Sequence, residues 1–587
     1  MKKVFTLPLL AALSFVLIQC KSSQSTTFKS ITDAYFKEKN ELSPLDATMN
    51  GQYQYNDQLP FEMTDSYRKK QTSFFDKYEK SLTTIDTIAL TEEEKNSYDI
   101  IKWEVEVGKD LLSYETNLTP INQFEGTHLT MGQYASGSSG QPFKTEKDYK
   151  NFLKRMDLYT VWIDSAMVYM KKGMQKKVVL PKPLTEKIIS QFENMVTDKP
   201  EENLFYSTIN TFPSAFSEEQ KNTLRKEYTT VIATKLIPQF KKMVAFLQTE
   251  YLPVSRATSG IGSLPNGSEL YKVYARKWTT TYKTPEEIHA LGLKEVARIK
   301  AEMEKVKDQV GFKGSLFEFF NFVRDKPELI PFKSPEEVLA NFERIHKIIQ
   351  PNVDKLFSLQ PKSQFQIKRT EAFREKTASP EYNQGTADGK RPGTFYVPIP
   401  DVTKYNYYGD EDLFLHEAIP GHHFQISLQQ ENQQLPDFRK FNWFGAYGEG
   451  WALYTESLGK ELGLYTDPYQ YFGMLSNEMH RAIRLVVDTG IHNEGWTREQ
   501  AITFSLENEA ESEASIVSEI ERYMANPGQA LAYKIGQMKI LELRQKAQDE
   551  LKDKFDIRIF HQKVLESGVM PLHLLEKKIN NWIITGK

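Results

Sequence analysis

The chain has 587 residues, with 75 basic and 78 acidic side chains and a formal net charge of −3. Hydrophobic residues make up 40% and aromatics 12%, enough for a substantial core, which excludes a chain that stays disordered. Near-neutral charge with no long run of one sign leaves no electrostatic footprint for nucleic acid, which is not expected as a partner.

The first residues read as a targeting segment. Lys2 and Lys3 precede an apolar stretch from Val4 to Ile18, too short for a stop-transfer helix but suited to a secretory signal. Leu17-Ile18-Gln19-Cys20 resembles a bacterial lipobox, whose cysteine is lipidated and becomes the first residue of the mature chain; Gln19 stands where a small residue is usual. Residues 1–19 are thus expected to be removed, leaving a lipid anchor at Cys20 and a flexible tether over 20–27. Cys20 is the single cysteine, so a metal site elsewhere must use His, Asp and Glu.

Beyond the tether the chain is expected to be mainly α. Ser or Thr followed three residues later by Glu or Gln marks helix starts at Thr91-Glu94, Ser217-Gln220, Thr284-Glu287, Ser334-Glu337 and Thr497-Gln500. Pro285 and Pro335 add a proline at the first helical position. Ile288, Leu291, Val296 and Ile299, and then Val338, Phe342, Ile345, Ile348 and Ile349, recur at helical intervals. The Gly- and Ser-rich loops 135–142 and 256–267 lack the Lys-Ser or Lys-Thr ending of a phosphate loop. The stretch 382–400 contains Asp388-Gly389 and Arg391-Pro392-Gly393, then Thr394-Phe395-Tyr396-Val397-Pro398, the best strand candidate. Such a strand either lies along a cleft and pairs with an extended peptide or forms a two-stranded ribbon.

Three of the ten histidines fall in His416-Glu417-Ala418-Ile419-Pro420-Gly421-His422-His423. A short zinc motif places its second His four residues after the first, on the same helical face, but that position is Pro420. Proline removes the N–H that would bond the His416 carbonyl, and with Gly421 it predicts a kink or bulge. On a regular helix His422 lies about 240° round and about 9 Å along from His416. His423 is about 20° off the face but about 10.5 Å away, a strained partner for ligand bonds near 2 Å. His422 is the expected second ligand and His423 the alternative.

The His-Glu-Ala-Ile-Pro-Gly-His-His motif resembles the signature of the bacterial family called domain of unknown function 885. The similarity extends to Arg391–Val397, to Glu449-Gly450-Trp451-Ala452-Leu453-Tyr454-Thr455-Glu456, to Arg484–His492 and to Pro527–Lys534. The family in turn resembles the mainly helical zinc metallopeptidases with a glutamate as third ligand, the gluzincins. That resemblance implies a large helical metallopeptidase-like fold with a deep cleft and a small β-sheet or ribbon beside the active-site helix. It implies one helical unit over 28–587, with a scaffold to about residue 380 and a catalytic core over about 381–587.

It also implies Zn2+ held by His416, His422 and a downstream carboxylate. Glu449 is expected there, with Glu456 orienting a ligand imidazole. Glu417 is then the general base, and His492 and Tyr533 are candidates to stabilise the oxyanion. Arg481, Arg484, Arg522 and Lys534 are each able to take a peptide's terminal carboxylate, and nothing in the sequence singles one out. Of the other histidines, His480 is a weaker candidate for the site; His128, His289, His346, His561 and His573 lack a ligand-spaced partner. The expected function is a zinc metallopeptidase acting on peptides. It would be a bacterial lipoprotein of the outer membrane, a periplasm-facing membrane or the cell surface. Alternatives are a zinc amidase acting on cell-wall peptides or other amides, and a non-catalytic binding lipoprotein.

Overall fold

The computed structural model describes the backbone of residues 7–137, 139–371, 375, 378–385 and 391–586, with side chains from residue 24 onward. The first six residues, the Cys20 side chain and Asp388-Gly389 lie outside the described residues. The fold is mainly α with one small sheet. It forms two compact units that part near residue 270: one takes the chain up to Leu90, Ile101–Leu270 and Met524–Asn526, the other Thr91–Ile100, Tyr271–Tyr523 and Pro527–Lys587.

The first unit is built on the 31-residue helix Glu146–Lys176. Tyr149, Phe152, Met156, Tyr159, Trp162, Ile163, Ala166 and Met170 recur every three or four residues on its buried stripe. Arg155 on that stripe is fully buried and has its charge spread over the carbonyls of Pro44, Tyr55 and Gln58, Thr48 Oγ1 and the Gln141 side chain. The segment read as a flexible tether is instead helical, within Leu7–Leu42. It contains neither Gly nor Pro to stop a helix, and buried Phe28, Thr32 and Tyr35 carry the same helix into the core.

The second unit contains α1 (Pro285–Gln309), α2 (Pro335–Leu356), β1 (Phe365–Arg369), β2 (Glu381–Asn383), β3 (Gly393–Val397), α3 (Asp410–Glu417), α4 (His422–Glu431), α5 (Gly445–Glu456), α6 (Pro468–His492) and α7 (Leu531–Leu551). The expected caps form: Thr284 and Glu287 complete a reciprocal box at α1, and Ser334 accepts from the Glu337 amide at α2. Ile288, Val296 and Ile299 of α1 and Val338, Phe342, Ile345 and Ile349 of α2 are buried, while Leu291 and Ile348 sit at the edge of their stripes.

The strand expected at 394–398 is β3. It pairs with β1 in parallel and with β2 in antiparallel register, so it is the centre of a three-stranded sheet. Both of its hydrogen-bonding edges are taken, which rules out the expectation that this strand itself pairs with an extended peptide.

Three acidic residues open α3, where the helix dipole favours them. All three are buried and each is tied to a neighbour: Asp410 to Asn341 and Tyr405, Glu411 to the Tyr465 amide, Asp412 to Asn477. α6 runs alongside α3 in the same direction. Gln470 of α6 donates to the Tyr407 carbonyl at 2.8 Å, and Asn477, two turns on, donates to Asp412 at 2.6 Å. α5 and α7 also run the same way, with Gly450 packed directly on Gly536 and Gln537 donating to the Leu453 carbonyl at 3.2 Å.

Candidate metal centre

The sequence predicts a kink or bulge at Pro420-Gly421, and the structure goes further. α3 ends at Glu417, Ala418 leaves helical geometry, and a separate helix begins at His422. Gly421 makes the fold-back possible. A Cβ there would stand 1.9 Å from the His416 carbonyl oxygen and 2.3 Å from that of Leu415, so a larger residue would push the chain off the end of α3.

α5 holds this break from behind. Trp451 Nε1 donates to the Pro420 carbonyl at 2.9 Å, and Thr455 Oγ1 donates to the Leu415 carbonyl at 2.9 Å. These bonds satisfy carbonyls that a terminated helix leaves orphaned. The block Glu449–Glu456 thus has a physical reading: Trp451 and Thr455 clamp the turn, and Glu449 and Glu456, two turns apart on another face of α5, present carboxylates to His416.

The break turns His422 toward His416, with the ring centroids 4.9 Å apart and the planes perpendicular. Glu449 Oε2 lies 3.6 Å from the Nε2 atoms of both His416 and His422. Donors held at about 2.0–2.2 Å in a tetrahedron stand about 3.4 Å apart, so these two separations are close to those of ligands sharing one zinc ion.

Glu417 belongs to the same cluster: its donor atom and those of the two histidines lie within 4.8 Å of one another, and its Oε1 is 4.0 Å from His416 Nε2. Two carboxylates thus compete for one position, and Glu449, close to both imidazoles, fits it better. Burial opposes the charged form of Glu449, but the two imidazoles outweigh it and hold the carboxyl far below its usual range. Burial raises Glu417 instead, against the weaker pull of His416, His422 and Arg481. One carboxylate is held ionised as a donor, and the other is biased toward taking up a proton.

His416 Nδ1 meets Glu456 Oε1 at 2.6 Å, so the ring bridges two carboxylates two turns apart on α5. This is the carboxylate–imidazole arrangement that orients metal-binding histidines. Burial disfavours the charged ring, but Glu449 and Glu456 reverse that and raise His416 to about 10. The metal-free site therefore holds a proton at neutral pH that a metal must displace. Zinc affinity is expected to rise about tenfold per pH unit between pH 6 and 9. In zinc titrations against a competing chelator, which also read that pH dependence, Glu456→Gln should weaken binding by about 10–100-fold; an unchanged affinity would remove Glu456 from the site. The Nδ1 of His422 is buried without a hydrogen-bond partner, so the second imidazole has no such counter-carboxylate.

His423 goes elsewhere. Its Nδ1 meets the Tyr382 hydroxyl of β2 at 2.9 Å and its ring lies 5.1 Å from that of Phe365 of β1. Burial lowers it to about 4, and it serves as a neutral anchor between α4 and the sheet.

His492 is fully buried, its Nε2 3.0 Å from the Tyr523 carbonyl and its ring packed on Tyr271. It lies eleven residues beyond Arg481 on α6, about 16 Å farther along the helix, so the structure does not bring it to the His416 cluster. Tyr533 is better placed. It opens α7 beside the first turn of α5, its ring lies 4.6 Å from the Arg484 guanidinium, and its hydroxyl has a single long contact of 3.5 Å with Gln529.

One wall residue escapes sequence reasoning. Trp443 is 44% exposed, with its ring 6.0 Å from that of His422. It lies on Gly448, where a Cβ would come within 2.1 Å of the indole. The Gly-Glu pair at 448–449 was the available signal, since a small residue before the carboxylate admits the ring.

The family described as bacterial protein of unknown function (DUF885) matches residues 44–579. No curated protein matches the chain. Among solved structures it is similar to a protein of Colwellia psychrerythraea described as a "putative lipoprotein", at 27% identity and a TM-score of 0.86, over 96% of this chain and 99% of that one. It also shares its fold with a "putative lipoprotein of unknown function" from Shewanella oneidensis, at 18% identity and a TM-score of 0.75, over 95% of this chain and 99% of that one. With the family matched across nearly its whole length, this chain belongs to the bacterial DUF885 proteins.

Proposed function

We propose that this protein is a zinc-dependent hydrolase that cleaves peptide bonds. The observation that carries the reading is Glu449 Oε2 at 3.6 Å from two imidazole nitrogens, with Glu417 beside them. Zinc at such a site acts as a Lewis acid and lowers the pKa of a water toward neutrality. Glu417 accepts the proton of the attacking water and passes it to the leaving amine. Tyr533 donates its hydroxyl to the developing oxyanion. Glu456 keeps His416 in one orientation and tautomer. Trp443 offers an apolar wall to the substrate side chain next to the scissile bond.

The likeness of the motif to the gluzincins supports the same reading. The protein is further proposed to be held at a bacterial membrane by a lipid on Cys20, on the strength of the Leu17–Cys20 sequence and the description of its two structural neighbours. Among the described residues no helix is long and apolar enough to cross a membrane.

The test is elemental analysis of the full chain purified without chelator, followed by a panel of peptides and cell-wall amides. About one zinc per chain and peptide cleavage that chelation abolishes and zinc restores are expected. Zinc-loaded protein that cuts cell-wall amides and no peptide would replace the substrate class, and a metal-free protein would sink the reading.

A further inference from the structure

Four basic residues near the motif blocks were open candidates for a substrate's carboxylate, and the structure separates them by what each already holds. Lys534 is fully buried between Glu478 at 2.7 Å and Glu295 at 3.1 Å. Arg522 is paired with Glu519 at 2.9 Å. Arg484 pairs with the same Glu519 at 3.1 Å and also meets Tyr523 and His480. Arg481 differs. Its one hydrogen bond is a 3.2 Å contact from Nη1 to the Asn477 carbonyl, and its Nε, like Nη1 of Arg484, is buried with no partner. Among the described residues no carboxylate lies within ion-pair distance of it.

It feels Glu417 and Asp412 only at longer range, and its place in the fold gives the guanidinium a use. Asn477 of α6 meets Asp412 of α3, and the two helices run in the same direction. One turn on from that pair, Arg481 falls alongside His416 and Glu417. Three residues later, on the same face, Arg484 carries the Tyr533 ring. Arg481 therefore lies on the α6 face that faces the metal cluster, one turn before the arginine that carries the Tyr533 ring. Glu417, Glu449 and Glu456 surround the cluster with negative charge, so an anionic group on a substrate would be repelled there without a local cation.

We propose that Arg481 is the receptor for a carboxylate of the substrate, bound side by side with the bond to be cut. Its guanidinium fork matches the two oxygens of a carboxylate, and among the described residues no carboxylate of the fold is seated on that fork. The proposal rests on the hydrolase reading for the identity of the substrate. A chain-terminal carboxylate and an Asp or Glu side chain share the chemistry.

The experiment is equilibrium binding to the zinc-supplemented full chain carrying Glu417→Gln, so that turnover does not obscure affinity. Three probes are compared: acetyl-Ala-Ala-Phe with a free carboxylate, its C-terminal amide, and the amide of acetyl-Ala-Glu-Phe. A charge-assisted contact gives a preference of about tenfold to a hundredfold for the carboxylate-bearing probe. Preference for the free acid alone assigns the chain terminus; preference for the glutamyl amide assigns the side chain. Adding Arg481→Gln should collapse either preference to near unity, and Arg481→Lys should restore part of it, which a merely structural role would not do. Equal affinity for all three probes, or a preference that survives Arg481→Gln, overturns the proposal. If unmodified protein cleaves peptides while showing no preference, the carboxylate assignment falls and the hydrolase stands. A preference that Arg481→Gln removes, in a protein that cleaves none of the peptides, leaves the receptor standing and removes the peptidase.

Discussion

Glu417→Gln is expected to retain about one zinc per chain while peptide cleavage falls by about a hundredfold to ten-thousandfold, the range a positioned general base supplies. Retention follows from geometry. Glu449 Oε2 is at 3.6 Å from both imidazole nitrogens, and Glu417 is at 4.0 Å from one. Loss of activity follows from chemistry, because glutamine has the shape of the side chain but cannot take up a proton. Parallel zinc analysis and peptide kinetics decide it. Undiminished hydrolysis would remove Glu417 as the base, and lost zinc would make it a ligand and reopen the role of Glu449.

His422→Ala and His423→Ala are expected to have opposite effects. Removing His422 takes away one of three protein donors. Four-ligand zinc sites bind with about 10–16 kcal/mol, so one donor corresponds to about 3 kcal/mol, or a hundredfold or more in affinity, and activity should disappear with the metal. Removing His423 cuts the tie between α4 and the sheet at Tyr382. That should lower unfolding stability by about 1–3 kcal/mol while zinc content stays near one per chain. Metal analysis with thermal unfolding of both variants reads the difference, and zinc loss in His423→Ala would exchange the two assignments.

Much of the fold was legible because its signals are local. The capping boxes at Thr284 and Ser334, the apolar stripes that follow them, and the β-branched and aromatic run at 394–397 depend on residues a few positions apart. The flexible tether was misread for the complementary reason: composition favoured a linker, but a helix continues through neutral residues when the next turns are packed. The strand was found and its role mistaken, because edge or centre depends on β1 and β2, whose partners lie at least eleven residues away.

The donor set divides in the same way. His416, Glu417 and His422 lie within seven residues of one another, and their spacing alone made them a candidate metal site with a candidate base. Glu449 and Glu456 came from a resemblance, and the structure brings both to His416 on one helix. His492 came from the same resemblance and lies elsewhere, against Tyr523 and Tyr271, since which stretch of α6 passes the cluster is decided by packing. Trp443 and the pairing of Arg481 had no signal of their own, because exposure and pairing are properties of packing.

The His416–His423 motif by itself singled out the candidate side chains: two imidazoles and a carboxylate beside a residue pair, Pro420-Gly421, that cannot continue a regular helix. Only the tertiary structure decided how they meet. Trp451 and Thr455 pin the broken helix end, Gly421 lets the chain fold back on the His416 carbonyl, and the sheet holds the His423 ring through Tyr382. The reason is physical. Proline and glycine forbid one backbone path, which is a local matter, while choosing among the remaining paths takes hydrogen bonds and contacts from chain more than thirty residues away.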